Sequence, residues 1–178
     1  MISSIEERDR ARQRLEQRSS EALAQFILTL IHAPHGIGAY VEAFIAADEP
    51  ERSVGIIEAQ ISALRRGETD YEWRHRHGDD FTARAELVLD AIEHVVLPSD
   101  AAGAVRLLER FYECEREIVD GSFGDDIGLS QVFERAATLF HAAAGRLTTA
   151  KVDALRERLL AHDDFGLRRH LRKVPVAT

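Results

Sequence analysis

The chain has 178 residues, 45% of them hydrophobic, and its 23 Lys+Arg against 31 Asp+Glu give a formal net charge of −8. This balance excludes a disordered chain and argues against general nucleic-acid binding, while the length suits one domain. The single cysteine, Cys114, excludes an intramolecular disulfide and any multi-cysteine zinc site.

In chain order, Met1–Arg18 is densely charged and lacks the apolar core of an export signal. Residues 22–41 carry no Asp, Glu, Lys or Arg, but Pro34, Gly36 and Gly38 break the run well short of the ~20 apolar residues a membrane span needs. The expected location is therefore cytoplasmic, with no membrane partner. Residues 1–33 are expected to form a long N-terminal helical segment. Its second half offers Ala22, Phe26, Ile27, Leu30 and Ile31 as a buried stripe.

From residue 34 to 178 the spacing predicts helix after helix, without a strand-length alternation. A helix over 36–47 would turn Ile37, Tyr40, Val41, Phe44 and Ile45 inward. One over 50–66 places Val54, Ile57, Ile61 and Leu64 on a single face. Residues 68–78 lack clear periodicity. A helix over 80–97 carries Phe81, Ala85, Val88, Ile92 and Val95 and ends at Pro98. Ser99 or Asp100 would cap the next one, which aligns Ala104, Leu107, Phe111, Cys114 and Ile118. After a glycine-containing loop at 120–128, further helices are expected over 128–146, from Thr148 or Thr149 onward, and over 165–172. With 25 Ala and 18 Leu against 11 Gly and 4 Pro, the chain is rich in helix formers. The reading is all-α: antiparallel helix pairs stacked as a short, degenerate helical-repeat array within one domain, with a compact bundle as the alternative.

Candidate chemistry is sparse. His75 and His77 beside Asp79 and Asp80 form the densest group of metal-ligating types, but the two histidines share a loop and no third distant ligand is identifiable. The loop Asp120-Gly121-Ser122-Phe123-Gly124-Asp125-Asp126 has Gly at the fifth position of a calcium-loop register and Gln131 at the twelfth. It therefore lacks two features of such a loop. Gly36-Ile37-Gly38 follows no strand and lacks a phosphate-loop lysine. Cys114, His94 and His141 read as packing residues. The arginines at 8, 10, 12, 14 and 18 are interleaved with acids, so nucleic acid is not the expected partner. Arg168, Arg169, Arg172 and Lys173 read as a basic tail at a helix end. No cofactor, metal or catalytic residue is assigned.

Several segments together resemble a known family: Tyr71-Glu72-Trp73-Arg74, Ile118-Val119-Asp120-Gly121-Ser122, Val132-Phe133-Glu134-Arg135-Ala136 and Asp163-Asp164-Phe165-Gly166. They are similar to an uncharacterised bacterial family of α-helical repeats, a domain of unknown function, over about residues 55–170. The resemblance implies a helical repeat and carries no catalytic residue with it. The expected function is a non-enzymatic helical scaffold that binds another protein, with self-association left open. Tyr71, Trp73, Arg74, His75 and His77 are the candidate contact patch, because aromatics and Arg dominate interface hot spots. The alternatives are a metal-dependent enzyme using His75, His77 and Asp79, or a nucleic-acid-associated helical protein.

Overall fold

A computed structural model describes residues 13–30, 37–66, 78–121, 126–147 and 149–172. Within them the chain is all-α, with no strand. The helices are α1 (Ser20–Leu30), α2 (Ile37–Ile45), α3 (Pro50–Arg66), α4 (Gly78–Ala91), α5 (Ala101–Glu113), α6 (Glu115–Gly121), α7 (Asp126–Ala144) and α8 (Thr149–Ala161). A π-helical turn, Ile92–Val96, follows α4, and a 3-10 helix, Leu167–Arg172, follows α8.

The core forms where apolar residues recur at helical spacing. Val54, Ile57, Ile61 and Leu64 of α3 are all buried, as the periodicity predicts. They meet Ala85, Val88 and Leu89 of α4, Leu107, Leu108 and Phe111 of α5, and Phe133, Ala136 and Phe140 of α7 in one cluster. Its aromatic centre is the trio Phe111, Tyr112 and Phe133. Phe111 and Tyr112 lie 5.6 and 5.7 Å from the Phe133 ring, in tilted arrangements. Full burial of a ring such as Phe133 stabilises by roughly 1.5–3 kcal/mol.

Two predicted helices are interrupted. The helix expected over 80–97 leaves α geometry at Ile92, where the Leu97 amide donates to the Ile92 carbonyl at 2.8 Å. Pro98 explains the change: it has no N–H for the His94 carbonyl, and its ring would crowd that carbonyl in a tight α turn. The wider turn removes the conflict. The helix expected to continue through Ile118 ends instead at Glu113, with Cys114 as its cap at φ −93°, ψ 12°. Asp100 is the N-cap of α5, accepting from the Gly103 amide at 2.8 Å. A Cβ on Gly103 would lie 2.3 Å from Asp100 Oδ2 and 2.9 Å from Val54 Cγ2, so the missing side chain permits both the cap and the close approach of α3.

The N-terminal expectations need correction. The single long helix is broken at residues 17–19, and α1 starts where the Ser19 hydroxyl accepts from the Ala22 amide at 3.2 Å. Of the expected buried stripe, Phe26 is 57% exposed, Ala22 is also exposed and Ile27 and Leu30 are only partly covered, while Ile31 lies outside the described residues. On α2, Val41 is buried as expected, whereas Phe44 and Ile45 face solvent. Amphipathic spacing marks an apolar side chain; it does not fix how much of it the surrounding helices cover.

Candidate functional site

The expected contact patch, Tyr71, Trp73, Arg74, His75 and His77, lies outside the described residues. So do the loop at 122–125 and the side chains of Asp79 and Asp80. Within the described residues, the most built-up surface feature lies between α5 and α8.

Its construction begins at the 3-10 helix. Gly166 takes φ +73°, a left-handed conformation suited to glycine, and Asp163 Oδ1 accepts from the Arg168 amide at 3.0 Å. This folds the Asp163-Asp164-Phe165-Gly166 segment into a turn that drives Arg168 into the protein. Arg168 was expected in a solvated basic tail; it is in fact buried, at 7% exposure. Its Nε donates to Glu115 Oε2 at 2.5 Å, Nη1 to the Leu159 carbonyl at 3.0 Å and Nη2 to the Tyr112 carbonyl at 2.7 Å. The guanidinium also stands 5.8 Å from the Tyr112 ring centroid. One side chain thus ties the ends of α5 and α8 to the start of α6. Burial pushes the Glu115 carboxyl above its usual range, although Arg168 opposes the rise. Glu115 Oε1 is buried without a hydrogen-bond partner.

α8 docks mainly on the 3-10 helix, which in turn lies along α7. It therefore stands beside α5 with an open cleft of about 590 Å³ between them. Val105 and Val152 are buried in its floor, and Leu147 and Leu155 are half-buried there. Arg106, Lys151 and Arg158 project along its sides, against a single carboxylate, Glu109, which Arg158 engages. Arg106 lies 4.0 Å from Asp100, and among the described residues Lys151 has no ion-pair partner. The cleft is thus apolar below and cationic at its margins, on a chain whose net charge is −8.

A second cluster surrounds Arg135 of α7. Its guanidinium donates to Glu86 at 2.5 Å, Asp90 at 2.5 Å and Glu93 at 2.6 Å. Burial opposes the guanidinium's charge, but its hydrogen bonds to Glu93, Asp90 and Glu86 outweigh it and raise the Arg135 pKa. Asp90, Glu93 and His94 also bring ligand-type atoms within 4.8 Å of one another. Arg135 already engages the two carboxylates, so the arrangement serves as an ion-pair latch between α7 and the α4–π segment. His94, expected to pack on apolar neighbours, is exposed. His141 is half-buried, its Nε2 lying 3.3 Å from the His170 carbonyl. Burial, reinforced by Arg156 and opposed by that hydrogen bond, lowers its pKa. Cys114 is buried, as expected from its place on an apolar face.

Sequence spacing missed these assemblies because their members are far apart in the chain. Glu86, Asp90 and Glu93 did carry a signal, being acids three and four residues apart on one helical face. No helix among the described residues is long and apolar enough to cross a membrane. No family model, curated protein or solved structure matches the chain.

Proposed function

We propose that this chain is a non-enzymatic helical scaffold, an array of stacked helix pairs, that binds an acidic amphipathic helix of another protein in the α5–α8 cleft. The observation that carries this reading is the cleft's chemistry: an apolar floor between Arg106 and Lys151, on a molecule otherwise dominated by acid. Each flanking helix has 13 residues and is about 20 Å long, which matches roughly three to four turns of a docked helix. Such a ligand would set apolar side chains at i, i+3, i+4 and i+7 against Val105, Val152 and Leu155 and direct its carboxylates to the cationic margins. Arrays of stacked helix pairs bind partners along open faces, which suits the open α5–α8 cleft. The contact patch at Tyr71, Trp73, Arg74, His75 and His77 belongs to this proposal as a secondary contact.

A labelled amphipathic peptide bearing glutamates on its polar face, compared by fluorescence anisotropy with the same peptide bearing lysines, tests the reading. The acidic peptide is expected to bind at least about tenfold more tightly. Arg106→Glu with Lys151→Glu should erase or reverse that preference, and raised salt should weaken it. Equal binding of the two peptides, or a preference unmoved by the double substitution, would refute the assignment.

A further inference from the structure

We infer that the ion pair between Glu109 and Arg158 is a built-in competitor for the ligand's carboxylates, and that Arg158 is a third cationic anchor of the α5–α8 cleft held in reserve. The inference rests on that cleft being the site of an acidic helix. Glu109 belongs to α5 and Arg158 to α8, and both line the cleft, so their ion pair crosses it from one wall to the other. The neighbouring cations on α5 are paired elsewhere. Arg106 lies 4.0 Å from Asp100. Arg110 turns to the α3 side, with its Nε 3.5 Å from Glu58 and its Nη1 2.8 Å from Glu113. The cation that engages Glu109 therefore comes from α8. Side-chain exposure separates the two partners: Glu109 is 24% exposed and Arg158 60%. The carboxylate is the enclosed member of the pair, and the arginine reaches to it from solvent.

Spacing on α8 indicates what displaces Glu109. Lys151, Leu155 and Arg158 follow one another at steps of four and three, the repeat that keeps side chains on one helix face. Leu155 thus lies between two cations that are two turns, about 10.5 Å, apart along the axis. A docked helix with carboxylates two turns apart and apolar side chains between them matches both cations at once. It does so only when one of its carboxylates takes the place of Glu109 on Arg158. The exchange replaces one carboxylate by another on the same guanidinium, so Arg158 is never left without a counter-charge. Glu109 also borders the groove between α5 and α3, where its charge acts on Arg110, so the displaced carboxylate keeps a cation near it. An exposed ion pair shifts an equilibrium only severalfold, so this one lowers the ligand's affinity without closing the cleft.

Fluorescence anisotropy of the glutamate and lysine peptides on wild type, Glu109→Gln, Arg158→Gln and the double variant tests this. Glu109→Gln is expected to bind the glutamate peptide about two- to fivefold more tightly than wild type, and the gain should vanish in the Arg158→Gln background. Glu109→Ala, which removes the carboxylate by truncation, should give the same gain. A gain of equal size with and without Arg158 overturns the inference, because Glu109 then acts by simple repulsion and not through the pair. A wild-type chain that prefers the glutamate peptide and gains nothing from either Glu109 substitution overturns it alone and leaves the cleft reading in place. No preference for the glutamate peptide in any of these chains overturns the cleft reading and the inference together.

Discussion

At the scale of single residues, Arg168 is the least replaceable side chain outside the apolar core. Its fork satisfies Tyr112 and Leu159 carbonyls while neutralising Glu115, and each of these groups is otherwise enclosed. Losing a buried ion's partner costs more than the pair itself contributes, because the remaining charge has no water to turn to. Arg168→Met should therefore lower unfolding stability by about 3–5 kcal/mol, measured by urea denaturation. Adding Glu115→Leu should recover much of that loss, since the second change removes the stranded carboxylate. If Arg168→Met costs no more than an ordinary surface substitution, or if the double variant recovers nothing, Arg168 is not what holds α6 and α8 in place. The sequence could not show this role. Glu115 lies 53 residues from Arg168, and local spacing sees only a run of basic residues at a helix end. Cys114 shows the opposite case: its burial follows from local spacing, three residues after the buried Phe111 of α5 and four before the buried Ile118 of α6.

At the scale of elements, periodicity located α3, α5 and α7 because each has one apolar face that finds a partner. It failed at the element ends for two physical reasons. Pro98 forces a wider turn at Ile92–Val96, a backbone effect that apolar spacing does not register. At the N-terminus, apolar spacing marked Phe26, Phe44 and Ile45 as inward, but local spacing does not say which side chains the rest of the fold covers. The π segment also shapes the ion-pair latch, since it carries Glu93 to the Arg135 guanidinium beside Asp90 and Glu86. Arg135 and its three partners are each about one-third exposed, so the latch is partly screened by solvent. Arg135→Gln should lower stability by about 1–2 kcal/mol, because it removes charged hydrogen bonds and leaves three acids facing one another. Asp90→Asn should offset part of that loss in the double variant, and thermal melts at low and high salt should show the Arg135→Gln deficit shrinking as salt rises. A deficit that is independent of salt would mean the arginine acts through packing of its aliphatic stem instead.

At the scale of the whole molecule, stability and binding surface are divided between different helices. α3, α4, α5 and α7 supply most of the buried cluster, whereas α1 contributes nothing to it. α8 lies between these extremes: it buries Val152 and Leu159 but is anchored chiefly through the 3-10 helix and the Arg168 clasp. The proposed peptide cleft is therefore edged by α8, a helix lightly committed to the core, as expected where binding elements come from the low-stability part of a fold. This predicts a hierarchy in amide hydrogen exchange. In the free chain, α7 amides should exchange only by global unfolding, α8 amides through a smaller opening, and α1 amides fastest. The acidic peptide should slow exchange in α8 while leaving α1 unchanged. Exchange mass spectrometry with and without the peptide separates these effects by segment. Equal protection of α1, α8 and α7 in the free chain would show that the fold opens as one unit, and the division between core helices and peripheral helices would have to be abandoned.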